Sequence, residues 1–116
     1  MATPAFRESG KPRPGKSSSA NGTNVSILPA PGAGRAYVVY DILWMNPSAE
    51  AGLSRLREHS GSEANGETAS QTDGTIMTFL FGDTSWNLSS PIQASENKGL
   101  MSEVGYITIT YEIISV

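Results

Sequence analysis

The last twelve residues, Gly105 to Val116, alternate closely enough to dictate their own geometry. Ile107, Ile109, Tyr111 and Ile113 fall on one side, and Thr108, Thr110 and Glu112 on the other. A period of two is the signature of a strand with one face in a core and the other toward water. A strand of this kind cannot stand alone, because its apolar face needs a second layer to cover it. The rest of the chain therefore has to supply more strands or an amphipathic helix.

Mostly it supplies strands. Val25 to Leu28 reads as a short strand stopped by Pro29-Ala30-Pro31-Gly32-Ala33-Gly34, where two prolines and two glycines in six residues force a loop. Tyr37 to Met45 is apolar on both faces. Val38, Tyr40, Ile42 and Trp44 share one, and Tyr37, Val39, Asp41 and Leu43 share the other. That composition predicts a central strand covered on both sides. Thr75 to Phe81 places Met77, Phe79 and Phe81 on one face. Trp86 to Leu88 and the region of Ile92 read as two shorter strands around Pro91, and Asn97-Lys98-Gly99 turns the chain into Leu100-Met101. Ala49 to Ser60 is open between two readings. Asn46 as N-cap, Pro47 at the first helical position and Ala49, Leu53 and Leu56 at helical spacing suit a short helix, whereas Leu53 to His59 suits an edge strand. Gly61 to Gly74 contains the turn dipeptides Asn65-Gly66 and Asp73-Gly74, and lacking a large apolar anchor it is expected to be the most mobile part of the domain. Seven or eight strands at this spacing predict a small antiparallel β-sandwich of jelly-roll type.

The charge is divided at Asn24. Residues 1–24 carry Arg7, Lys11, Arg13 and Lys16 against Glu8, a net +3; the other four bases and ten acids give residues 25–116 a net −6, and the two sum to the overall −3. Met1 and Phe6 are the only large apolar side chains in the first part. Such a segment cannot offset its own ordering entropy, and its prolines favour polyproline II geometry. The expected organisation is a flexible basic arm, residues 1–24, followed by one β-sandwich domain, residues 25–116. An acidic domain lacks the clustered bases that phosphate affinity requires, so no nucleic-acid face is expected on it. No apolar run approaches the ~18 residues of a membrane span, so no membrane partner is expected. No apolar stretch follows the first bases, which speaks against a secretory signal. Without cysteine there is no disulfide framework, thiol nucleophile or Cys-based zinc site.

The chemistry-bearing motifs are thin. Gly10-Lys11-Pro12-Arg13-Pro14-Gly15-Lys16-Ser17 matches G-x-x-x-x-G-K-S. A phosphate cradle, however, needs backbone N–H donors between a strand and a helix, and Pro12 and Pro14 remove two of them. His59, the only histidine, could join a serine with Asp41, Asp73 or Asp83, but no G-x-S-x-G elbow exists, and a solvated loop histidine is the simpler reading. The acids Glu50, Glu58, Glu63, Glu67 and Asp73 lack calcium-loop spacing and read as solvated charges. Trp44, Trp86, Tyr37, Tyr40, Tyr106 and Tyr111 could stack on sugars, although aromatics at alternating strand positions more often fill cores. Asn21, Asn24 and Asn87 head glycosylation-type triplets that matter only in a secreted chain. No catalytic residue, cofactor or metal is expected.

The run Val25-Ser26-Ile27-Leu28-Pro29-Ala30-Pro31-Gly32-Ala33-Gly34-Arg35-Ala36-Tyr37 resembles the opening of small virion proteins of tailed bacteriophages. Asn46-Pro47-Ser48, Pro91-Ile92, Glu96 to Leu100 and the terminal strand Thr108 to Ile113 extend the resemblance over roughly residues 24–116, and Ala49 to Asp73 departs from it. The resemblance implies a non-enzymatic structural part of the particle, assembled in the host cytoplasm. The expected role is a decoration or cement protein on the outer capsid surface, homo-oligomeric and trimeric. Its arm residues Phe6, Arg7, Lys11, Arg13 and Lys16 would clasp the major capsid protein. The alternative is a tail or fibre module that recognises a host surface glycan.

Overall fold

The computed structural model describes residues 15–18, 23–45, 53–80 and 84–116. Its strands are β1 (Gly15–Ser18), β2 (Thr23–Leu28), β3 (Arg35–Met45), β4 (Leu53–His59), β5 (Thr75–Leu80), β6 (Thr84–Gln93), β7 (Gly99–Val104) and β8 (Tyr106–Ser115). They form two antiparallel four-stranded sheets, ordered β1-β8-β3-β6 and β2-β7-β4-β5. This order is that of a jelly roll: the chain folds as a doubled hairpin, so its first and last strands lie side by side. Gly15–Ser18, which composition assigns to the arm, are bonded along Thr108–Tyr111 as an edge strand.

The core lies between the sheets. Tyr37, Val39, Ile42, Trp44, Ile107 and Ile109 enter from the first sheet, and Ile27, Leu56 and Leu100 from the second. Trp44 also donates its indole N–H across the gap to the carbonyl of Val104 at 3.1 Å. The terminal strand follows its alternation at Ile107 and Ile109, which are fully buried, and at Tyr111, which packs against the core, but not at Ile113, which is exposed near the strand's end.

β3 does not. Tyr37 and Val39 are buried, but so are Ile42 and Trp44, which strict alternation puts on the opposite face. The reason is a bulge. Val39 faces Tyr111 and Asp41 faces Thr110, so Tyr40 is an extra residue on β3 with no opposite number on β8. One inserted residue shifts every later side chain to the other face. The two apolar faces predicted for β3 are thus one core face that changes phase midway. The cover expected on both sides is missing, because Leu43 and Met45 are 41 % and 46 % exposed.

Leu53 to His59 is strand and lies inside the second sheet between β7 and β5, rather than at its edge. Asn46, Pro47 and Ala49, on which the helix reading rests, fall outside the described residues. So does Phe81, at the end of the strand expected over residues 75–81. The two short strands expected around Pro91 are one, β6. Between its pairings at Asn87 and Ile92 the strand carries four residues opposite Tyr40 alone. An edge strand tolerates a proline in such an excursion, where its missing N–H breaks no ladder bond.

Opposite orientations of adjacent β3 residues make a test of the phase change. Ile42→Ala should cost about 2–5 kcal/mol in urea unfolding, and Leu43→Thr should stay within about 0.5 kcal/mol of the parent. Equal costs would contradict the assignment of faces.

Candidate functional site

At one end of the sandwich, loops 29–34, 60–74 and 94–98 are locked together. Gly32 and Gly34 of the Pro29–Gly34 loop adopt φ of 111° and 78°, open to glycine without strain. Their N–H groups donate to Asn97 Oδ1 at 2.9 Å and Glu96 Oε2 at 2.7 Å. Tyr37 holds the same loop by donating its hydroxyl to the Pro29 carbonyl at 2.6 Å. Burial, and secondarily Tyr111 packed edge-on at 5.5 Å, pushes the Tyr37 phenol up to about 12, so this donor stays protonated at neutral pH.

Loop 60–74, expected to be mobile, runs along the free edge of β2. Ser26 N–H donates to the Glu67 carbonyl at 2.8 Å, Gly66 N–H to the Ser26 carbonyl at 2.9 Å and Ala69 N–H to the Asn24 carbonyl at 2.8 Å. Asn65 Nδ2 adds a bond to the Ile27 carbonyl at 3.0 Å. Ala69, too small to register as an anchor in the sequence, is buried. The loop therefore takes the place of a fifth strand.

Under it, alone among the described residues, lies a constellation with the outline of a catalytic triad. Ser26 and His59 are both fully buried. Ser26 Oγ is 3.1 Å from His59 Nε2, and His59 Nδ1 is 3.6 Å from Glu63 Oε1. The hydrogens run the wrong way for nucleophilic catalysis. A triad needs Nδ1–H aimed at the carboxylate and a free Nε2 to take the serine proton. Here Nδ1 accepts the Gly61 N–H at 3.2 Å, which leaves the hydrogen of a neutral ring on Nε2. Nε2–H then donates to the Leu28 carbonyl at 2.9 Å. The Ser26 hydroxyl spends its own proton on the Glu63 carbonyl at 2.9 Å. No substrate can reach Oγ, and no base is free to activate it. The cluster is a polar pin between β2, β4 and the loop. Gly99 makes room for it, since a Cβ there would lie 2.4 Å from the Leu28 carbonyl and 2.5 Å from His59 Nε2.

The aspartates proposed beside His59 are engaged elsewhere or undescribed. Asp41 accepts from Thr110 on the first sheet. Asp73 accepts from Ser60 at 2.7 Å and pairs with Lys98 at 3.1 Å. Asp83 lies outside the described residues. The Ser60 hydroxyl, then Lys98, hold the Asp73 carboxyl below the usual range, and the Ser70 hydroxyl does the same for Glu63. Glu58 Oε2 accepts the Ser95 N–H and Glu67 Oε1 the Ala64 N–H, both at 2.7 Å. Among the described residues no group of three or more His, Cys, Asp or Glu could hold a metal.

Of the arm residues expected to touch a partner, Phe6, Arg7, Lys11 and Arg13 lie outside the described residues, and Lys16 sits in β1. The phosphate-loop match ends in a strand, so Lys16 and Ser17 do not open a helix. The aromatic platform loses Tyr37 and Trp44 to the core, and Tyr111 packs against it. Missed by sequence reasoning were Ser26 and Glu63 beside His59, which lie 33 and 4 residues away along the chain.

Ser26→Ala and Gly99→Ala should each lower stability by roughly 1–3 kcal/mol in urea unfolding, through a lost bond and a forced contact respectively. A catalytic serine would instead leave stability intact and abolish ester hydrolysis. Acid should loosen the loop. Both carboxyls titrate lower in the folded chain than unfolded, so their contribution is present above the unfolded values and is lost as pH falls through the folded ones. The urea midpoint should drop between about pH 5 and pH 3, and Asp73→Asn with Glu63→Gln should flatten that drop.

No protein-family description, curated protein or solved structure matches the chain.

Proposed function

We propose that this chain is a virion protein of a tailed bacteriophage, a decoration or cement protein that binds the outer capsid surface through its basic N-terminal segment. One observation carries the reading: the segment enters the fold as part of a sheet. Gly15–Ser18 are paired with β8, the strand whose Ile107 and Ile109 are fully buried. Whatever residues 1–14 grip is therefore coupled to the rigid core by antiparallel ladder bonds instead of by a loose linker. A short segment with Arg7, Lys11, Arg13 and a single aromatic, Phe6, suits an acidic or mixed protein surface. Docked on a partner, such a segment adds contact area without enlarging the core. Repetition over a lattice turns modest single contacts into firm retention. The jelly roll recurs in viral shells and in lectins, and this support is analogy at the level of fold.

The polar pin agrees with a non-enzymatic role, because it commits the only histidine to stability. The glycan-binding alternative rests on fewer groups. Among the side chains the structure describes, Tyr106 is the one large aromatic that is exposed.

The fold locates the cut for a test. Removing residues 1–24 would strip β1 from β8, so the informative truncation removes 1–14. That variant should keep its circular dichroism spectrum and bind purified phage heads at least ~10-fold more weakly in co-sedimentation. Unchanged occupancy would sink the arm's role. Glycan-array binding lost on Tyr106→Ala would favour the alternative.

A further inference from the structure

The turn that seats loop 60–74 on β2 is built from a reactive dipeptide. Asn65-Gly66 forms the centre of the turn Ala64–Glu67, which the Glu67 N–H closes by donating to the Ala64 carbonyl at 3.0 Å. Gly66 has a φ of 93°, the positive value that a type II turn places at its third residue and that glycine takes without strain. Asn65 is required for a different reason, because its Nδ2 donates to the Ile27 carbonyl at 3.0 Å. Docking therefore selects asparagine followed by glycine. With no Cβ on the second residue, nothing hinders its backbone nitrogen from approaching the side-chain amide of the first.

The chemistry open to such a pair needs only water. The deprotonated Gly66 nitrogen attacks Cγ of Asn65, the new N–C bond closes a succinimide ring, and the Cγ–Nδ2 bond breaks to release ammonia. Water then opens the ring at either carbonyl. The product is aspartate, or isoaspartate with the backbone rerouted through the side chain. An amide and a water become a carboxylic acid and ammonia, with no change of oxidation state. In the docked loop both reacting groups are held away from each other by β2. The Gly66 N–H donates to the Ser26 carbonyl at 2.9 Å, and Nδ2 is committed to Ile27. Both bonds have to open before the ring can close.

We propose that Asn65 is a self-modification site gated by the docking of its loop, and that its conversion releases the loop from the β2 edge. Either product lacks the Nδ2 donor and sets carboxylate oxygens toward the Ile27 carbonyl, acceptor against acceptor. Isoaspartate also inserts one atom into the backbone between two sets of anchors. On one side the Gly61 carbonyl accepts from Ala30 N–H and the Glu63 carbonyl from the Ser26 hydroxyl; on the other lie the β2 bonds of Gly66, Glu67 and Ala69. The two sets then no longer fit β2 together. Release leaves the Ser26 N–H and the Asn24 and Ser26 carbonyls without their loop partners, which is an open sheet edge. The reaction belongs to the purified chain and is independent of the capsid reading.

Ageing the full chain in mildly alkaline buffer tests it. Peptide mapping with isoaspartyl methyltransferase labelling follows Asn65 apart from the other Asn-Gly pair, Asn21-Gly22. Asn65 should convert at least ~10-fold more slowly in the native chain than in the urea-unfolded chain. Ser26→Ala, which removes the donor to the Glu63 carbonyl, should narrow that gap. In the aged, isoaspartate-bearing fraction, hydrogen exchange should show protection lost at the Ser26, Gly66 and Ala69 amides and kept along the β4–β7 ladder. Asn65→Asp should give a weaker loss at the same amides with the circular dichroism spectrum retained. Equal rates at Asn65 in native and unfolded chains would overturn the gating. An isoaspartate-bearing chain that still protects Ser26 and Ala69 would overturn the release.

Discussion

The extra residue at Tyr40 decides how the longest strand meets the core. Before it, Tyr37 and Val39 point inward; after it, Ile42 and Trp44 do. Without the bulge, half of that apolar set would face water, and Trp44 could not reach the Val104 carbonyl of the opposite sheet. β3 pairs with β8 on one side and β6 on the other, so its phase change is shared by the whole first sheet. β6 answers it with the four-residue excursion that accommodates Pro91. The bulged residue is itself used: the Tyr40 hydroxyl donates to Glu112 on the outer face.

The two sheets differ in what lies outside them. Over β2 and β4, loop 60–74 closes on Ser26 and His59 and gives the second sheet a small polar layer on its outer side. Three strands and a loop meet at that layer, which makes it the natural hold on the end of the sandwich. The cluster shows why geometry alone is a poor guide to catalysis. Serine, histidine and glutamate stand at plausible separations, and the direction of two hydrogens assigns them to structure. On the outside of Arg55 and Arg57, Glu103 is gripped by both guanidinium groups, at 2.9 Å and 3.6 Å. Such half-exposed pairs contribute little to stability and mainly keep that face solvated.

The surface divides into guarded and open parts. One side carries the entry of the basic segment and the loop-covered β2 edge. The opposite side, β5 and β6, is nearly free of charge.

Much of this was legible in the residues. The period of two in Ile107, Ile109 and Tyr111, the Pro29–Gly34 loop and the Asn97-Lys98-Gly99 turn are local signals, set by side-chain alternation and by backbone freedom. They were enough for an all-β jelly roll. The position of β4 inside its sheet, the docking of loop 60–74 and the meeting of Ser26 with His59 were not legible, because each depends on partners distant along the chain. The same is true of Tyr40. A strand apolar on both faces looks identical whether it is covered twice or bulged once, and only pairing with β8 distinguishes the two. By itself the sequence determined which segments are strands and where the chain turns, since those follow from sterics within a few residues. Tertiary structure decided which face of each strand is core, which edges are closed and which proton His59 keeps, since those follow from contacts no local pattern encodes.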